Sequence, residues 1–142
     1  MITINKFVLF VVMLPTIFVA SQPIDTNTFP FEKVTIYVTN NMTNTQLTMY
    51  CKDKHHNFGT QTLKSGETYS FKFIPAYIFR RSLYFCHFSW NSESHYFDIY
   101  VQTRDQHGCD KDCYWHIKES GPCKDNAGGK GVTQCFHWKK TT

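Results

Sequence analysis

Ser82-Leu83-Tyr84-Phe85-Cys86-His87-Phe88-Ser89-Trp90 is the stretch on which the fold turns. At the two-residue period of a strand, Leu83 and Phe85 fall on one face and Tyr84, Cys86, Phe88 and Trp90 on the other. A strand apolar on both faces is expected at the centre of a sheet, covered on each side. This segment is therefore the expected spine of the core, with Phe85, Phe88 and Trp90 inside.

The same alternation spreads outward. Val34, Ile36 and Val38 oppose Thr35, Tyr37 and Thr39, and Leu47, Met49 and Cys51 oppose Thr48 and Tyr50. Tyr69, Phe71 and Phe73 alternate with Ser70 and Lys72, and Phe97, Ile99 and Val101 with Asp98 and Gln102. Trp115 and Ile117 alternate with Tyr114, His116 and Lys118, which adds Trp115 to the predicted core. Turn residues separate these runs at Asn40-Asn41, Lys54 to Gly59, Ser65-Gly66, Asn91 to Ser94 and Asp105 to Gly108. Short strands at such intervals predict a sandwich or barrel. No helix-period stretch competes, and Pro75 to Arg81 is long enough for one helical turn. The aromatic content of 17% suits pleated surfaces. The fold expected is all-β: a small antiparallel β-sandwich stapled by disulfides.

The N-terminus sets the compartment. Lys6 precedes an apolar run from Phe7 to Val19, interrupted only by Pro15 and Thr16, and small residues follow at Ala20 and Ser21. That pattern predicts a secretory signal peptide over residues 1–21, cleaved after Ser21 or Ala20. The run is too short for a membrane span, which needs about 20 apolar residues. Residues 22–32 read as a loose arm and 33–142 as one domain. The net charge of +4 falls by one when Lys6 leaves. The remaining basic residues are scattered, which argues against nucleic acid as a partner. The mature chain is expected to be extracellular, monomeric and free of the membrane.

Cys51, Cys86, Cys109, Cys113, Cys123 and Cys135 make an even set, which in a small secreted chain predicts three disulfides. From Gly121 the tail is rich in glycine, ending in an expected short strand over Val132 to Trp138. Cys123 and Cys135 bracket that stretch, so the favoured pairing joins them and ties the loop at its base.

The motifs around the strands resemble the plant self-incompatibility protein family, the S-protein homologues. The resemblance runs through Cys51, Lys52 and Gly59, then Gly66, Tyr69, Phe71 and Phe73. It continues through Leu83, Phe85, Cys86, Phe88 and Trp90, and ends in Arg104, Asp105, Cys109, Cys113 and Trp115. Tyr50 departs from it where many members carry a His, and Cys123 and Cys135 add a pair to the usual four. The resemblance implies a secreted β-sandwich whose best-understood members are female-tissue ligands read by a pollen receptor. It also implies that Cys51, Cys86, Cys109 and Cys113 form two bridges; the pairing expected is Cys51–Cys113 with Cys86–Cys109. The C-terminal surface is this chain's own.

Three chemical readings compete with a ligand role. Cys109-x3-Cys113-x2-His116 has zinc-ligand residue types, but oxidised sulfur does not ligate, and Cys113 and His116 point to opposite faces of a strand. The seven histidines suit a ribonuclease-like hydrolase, yet His55, His56, His87, His95, His107, His116 and His137 share no local motif. A membrane-active defence protein would need an amphipathic helix or apolar patch, which is missing from the pattern. No enzyme activity, metal or cofactor is expected. Asn41-Met42-Thr43 is a glycosylation sequon in turn context. Trp138, beside Lys139 and Lys140, is the tryptophan expected at the surface. The partner, a cell-surface receptor, should contact loops, because strands are committed to packing. The first candidate loop is Asp105, Gln106, His107, Gly108, Asp110, Lys111 and Asp112, pinned by Cys109; the second is Lys52 to Phe58.

Overall fold

The computed structural model describes residues 32–76, 81–125 and 133–139. The expected signal peptide and residues 22–31 of the arm lie outside these. Strands β1 (Val34–Asn40), β2 (Leu47–Lys52), β3 (Asn57–Leu63), β4 (Thr68–Phe73), β5 (Leu83–Trp90) and β6 (Glu93–Val101) follow one another. A four-residue helix α1 (Gln102–Asp105) leads to β7 (Asp112–Lys118), β8 (Gly121–Asp125) and β9 (Gln134–Cys135). One sheet has the order β4-β1-β7-β8-β9 and the other β3-β2-β5-β6.

The two sheets bury their alternating apolar faces against each other. Ile36, Val38, Phe71, Phe73, Cys113, Trp115 and Ile117 come from one sheet; Leu47, Met49, Tyr84, Cys86, Phe88 and Ile99 come from the other. Aromatic pairs bridge the layers, with ring centroids 4.1 Å apart for Phe73 and Tyr84 and 5.2 Å for Phe97 and Trp115. The all-β sandwich is thus as expected, with one parallel pair in it. β6 ends where β1 begins, so the chain re-enters the first sheet from that end. β7 therefore runs parallel to β1, Thr35 opposite Asp112 and Asn40 opposite Ile117.

The spine needs one correction. β5 is central, between β2 and β6, but only its Tyr84–Trp90 face is covered. Phe85 is half-buried on the outer face and Leu83 is 44% exposed, so Phe85 is not a core residue, while Phe88, Trp90 and Trp115 are. A period of two cannot tell which apolar face meets the other sheet. On β6 a bulge pairs Tyr84 with Tyr100 and Phe85 with Asp98, leaving Ile99 as the extra residue. Both Ile99 and Tyr100 turn inward as a result, and Val101 is displaced from the core face.

The disulfides need another. Cys51 and Cys86 are direct cross-strand partners on β2 and β5, with Cα atoms 4.0 Å apart, and they bond to each other. Cys109 bonds to Cys113 across the turn into β7. The expected Cys51–Cys113 and Cys86–Cys109 bridges are therefore replaced, because Cys113 sits in the opposite sheet while Cys51 and Cys86 are already in contact through strand pairing. Cys123 and Cys135 are opposite each other on β8 and β9 and are joined.

The tail is more ordered than its glycine content suggests. Gly121 opens β8 at φ +145°, and a Cβ there would lie 1.9 Å from the Phe136 carbonyl oxygen. Residues 136–139 have no regular structure, so the expected Val132–Trp138 strand shrinks, among described residues, to Gln134–Cys135. Trp138 is half-buried against the core. Its ring stacks on His95 at 4.7 Å and its Nε1–H donates to the Glu119 carbonyl at 3.0 Å. β3 begins inside the Lys54–Gly59 turn region, as a polar edge strand.

Candidate functional site

Strand register puts both candidate loops at the same end of the sandwich. β4 ends at Phe73 opposite Val34, the first residue of β1, and β7 enters beside Thr35. In the other sheet, β2 ends at Lys52 opposite Phe85, near the start of β5, and β6 ends at Val101 opposite Leu83. Gln102 joins the two groups of ends: its side-chain amide donates to the Ala76 carbonyl and accepts from the Ser82 N–H. The turn 53–56, the segments around Ala76 and Ser82, and residues 102–111 therefore form one continuous end surface. Asn41 lies at the far end of β1, about 20 Å away for a strand of that length.

Asp105 is the hub of this end, not a contact residue. Its carboxylate is fully buried. It accepts the Val101 N–H at 2.8 Å, Arg104 Nε at 2.9 Å and Nη2 at 2.7 Å, and Lys124 Nζ at 2.7 Å. Lys124 comes from β8 and is itself buried, and Arg104 lies over the rings of Phe97, Trp115 and Phe136. Burial pushes the Asp105 carboxyl up, but the hydrogen bonds from Arg104, Lys124 and Val101 together outweigh it and hold its pKa below the ordinary value. A carboxylate so enclosed is unavailable to a partner, which removes Asp105 from the expected contact loop.

The hub shapes the rest of that loop. The Asp105 carbonyl accepts from Gly108 N–H at 3.1 Å and Cys109 N–H at 3.0 Å, and the Cys109 carbonyl accepts from Asp112 N–H at 3.2 Å. Thr35 N–H donates to the Lys111 carbonyl at 2.8 Å, and Lys111 Nζ reaches Glu32 at 2.7 Å. His107, Asp110 and Lys111 are exposed, while Gln106, Gly108 and Asp112 are half-buried. The exposed side chains thus ride on a backbone fixed at several points, which lowers the entropy lost on binding.

The 53–56 turn is tied from within. Asp53 Oδ1 accepts the backbone N–H groups of His55, at 2.8 Å, and of His56, and its carboxylate also meets the His56 ring. Burial raises the Asp53 pKa, but these donors and the Tyr84 hydroxyl overcome it and bring it to about 2. Beside this turn a cleft of about 460 Å³ opens between Lys54, His55, Arg81, Ser82, Leu83 and Phe85. Lys124 and Arg81 carried no signal in the sequence as site residues, since one sat in a glycine-rich tail and the other outside any motif.

Other predicted chemistry falls apart in space. The sulfurs of Cys109 and Cys113 are bonded to each other, and the described residues contain no group of three His, Cys, Asp or Glu able to hold a metal. His56 pairs with Asp53, His95 with Glu93 and His116 with Asp125, in three separate places. His87 is half-buried on the outer face of β5 and hydrogen-bonds Ser94 Oγ at 2.6 Å. Asn41 is exposed just past β1, with Met42 buried beside it. No helix among the described residues is long and apolar enough to cross a membrane.

This geometry defines a class: a disulfide-stapled sandwich that displays rigid polar segments at one end. The chain matches the plant self-incompatibility protein S1 family over residues 35–138 and belongs to it. Among its relatives, S-protein homolog 2 of Arabidopsis thaliana is 43% identical over 130 residues, covering 87% of this chain and 80% of the relative. S-protein homolog 5 of Arabidopsis thaliana is 40% identical over 111 residues, with 78% and 82% covered. No solved structure matches the chain.

Proposed function

We propose that this S-protein homologue is a secreted ligand, recognised by a receptor protein on the surface of another plant cell, in pollen–pistil recognition or a related signalling setting. One observation carries the reading: two polar segments far apart in sequence, 53–56 and 106–111, share one end of a rigid sandwich. The sequon at Asn41 stands at the opposite end, so a glycan there leaves the recognition end clear. The family's self-incompatibility name supports a role between cells, and the histidines' separate carboxylate partners favour binding over catalysis. The test is binding of the fluorescently labelled protein to intact pollen, stigma and root cells. Saturable binding to one cell type, reduced by His107→Ala/Lys111→Ala and unaffected by Asn41→Gln, is expected. Absence of saturable binding to any cell, or RNA turnover abolished by a single histidine substitution, would overturn it.

A further inference from the structure

The cleft beside the 53–56 turn has features that packing does not explain. Its floor is apolar, since Leu83 is 44% exposed and Phe85 lies half-buried beside it. Its walls are cationic, with Lys54 and Arg81 both exposed. Among the described residues, neither enters an ion pair. The one carboxylate on the lining, Asp53, is turned to the donors of its own turn; its charge offsets part of that of the walls and leaves the cations in excess by one.

The cleft is also preformed and continuous with a larger face. Ser82 Oγ accepts the Ala76 N–H at 2.7 Å, and Gln102, itself buried, bridges the same two residues through its amide. Beyond Phe85 the outer face of β2-β5-β6 carries Tyr50, His87 and Tyr96 in one row across three strands. The Tyr50 and Tyr96 hydroxyls meet at 3.2 Å, and Tyr96 is 58% exposed. Lys52 Nζ sits 5.4 Å from the Phe85 ring centre and Asp98 is the β6 partner of Phe85, so the strip between cleft and row carries one charge of each sign. Aromatics with polar tips that are at least partly exposed, with an arginine close by, are enriched at protein-binding surfaces. The rings of Tyr50 and His87 stack on each other, so each turns one face to its neighbour. That arrangement suits a peptide better than a sugar chain, which needs ring faces free.

We propose that this cleft is the anchoring subsite for the partner, and that it takes an acidic side chain, carried beside an apolar one, on an extended segment of a receptor protein. The carboxylate lies between Lys54 and Arg81, and the apolar neighbour covers Leu83 and Phe85. The proposal rests on the ligand reading above and specifies the partner's chemistry.

The test is an NMR titration of the ¹⁵N-labelled protein with acetyl-Phe-Asp-Phe-Asp-Phe-amide and with the same peptide carrying Asn for Asp. The acidic peptide is expected to shift the amides of Lys54 and of Arg81 to Phe85 saturably. Binding should weaken about tenfold or more with the Asn peptide or with Lys54→Ala/Arg81→Ala. Lys72→Ala, which removes a cation from the opposite sheet, should change nothing. Equal affinity for both peptides, or shifts centred on another face, would overturn the proposal. Tighter binding of trigalacturonate than of the acidic peptide would also overturn it, by assigning the cleft to a glycan. Cell binding undiminished in Lys54→Ala/Arg81→Ala would defeat the cleft and leave the ligand reading standing. Peptide binding without any cell binding would do the reverse.

Discussion

Replacing Asp105 with Asn keeps the shape of the buried hub and removes its charge. Four hydrogen bonds reach the carboxylate, and three of them come from cations. An amide presents N–H where an oxygen was, so part of the site becomes donor against donor. Buried Lys124 is left without its counter-charge. Removing one partner of a buried ion pair costs about 3–5 kcal/mol, a large share of the roughly 5–15 kcal/mol that holds an ordinary domain. At a urea slope of about 2 kcal/mol/M, the unfolding midpoint should fall by about 2 M. Tryptophan fluorescence is a suitable readout, because Trp115 is fully buried beneath Arg104. Lys124→Met should cost less, since Arg104 still neutralises Asp105. The double variant should be more stable than the sum of the two singles by at least about 1 kcal/mol. A cost below about 1 kcal/mol for Asp105→Asn, or strict additivity, would refute the hub.

In the chain-entropy account, removing Cys51–Cys86, at a separation of 35 residues, should cost about 4 kcal/mol, and Cys109–Cys113, at 4 residues, about 2. Denaturation of the two double-alanine variants checks that order, and peptide mapping should recover no Cys51–Cys113 link. Phe88→Ala should cost about 3–5 kcal/mol, whereas Phe85→Ala on the outer face should cost less than half of that, both read by urea titration. Asp53 and Asp105 have folded pKa values below the unfolded value of about 3.9. Their contribution is therefore present above that pH and lost as pH falls, for Asp53 towards about 2. Asp53→Asn should flatten the acid side of the stability curve measured by urea midpoint against pH.

The strands with two-residue alternation were legible because one face of each meets a dry core: β1, β2, β4, β5 and β7 all follow it. What escaped lacks that signature. β3 is an edge strand of polar residues, and β8 hides in a glycine-bearing stretch whose Lys124 is buried only because Asp105 receives it. The bulge at Ile99 altered inside and outside for the end of β6, and no local pattern announces a bulge. The disulfide partners depended on which strands are neighbours, a property of topology and not of spacing. Of the loop from Asp105 to Asp112, the exposure of His107, Asp110 and Lys111 was readable from the polar run, whereas Gln106, Gly108 and Asp112 are half-buried. The burial of Asp105 was not readable, since an acidic residue in a polar stretch reads as solvated until its partners are known. The cleft combines residues from the 53–56 turn and the start of β5, which only the β2–β5 pairing brings together.

The proposed recognition surface is the end of the sandwich formed by residues 53–56 and 106–111, remote from Asn41. Cross-linking the labelled protein to intact cells that bind it, followed by mass spectrometry, measures this directly. Cross-links from Lys54 and Lys111 are expected, and none from Lys64, which lies at the Asn41 end beside Ser65 and Gly66. Cross-links concentrated at Lys64, with Lys54 and Lys111 unlinked, would contradict it.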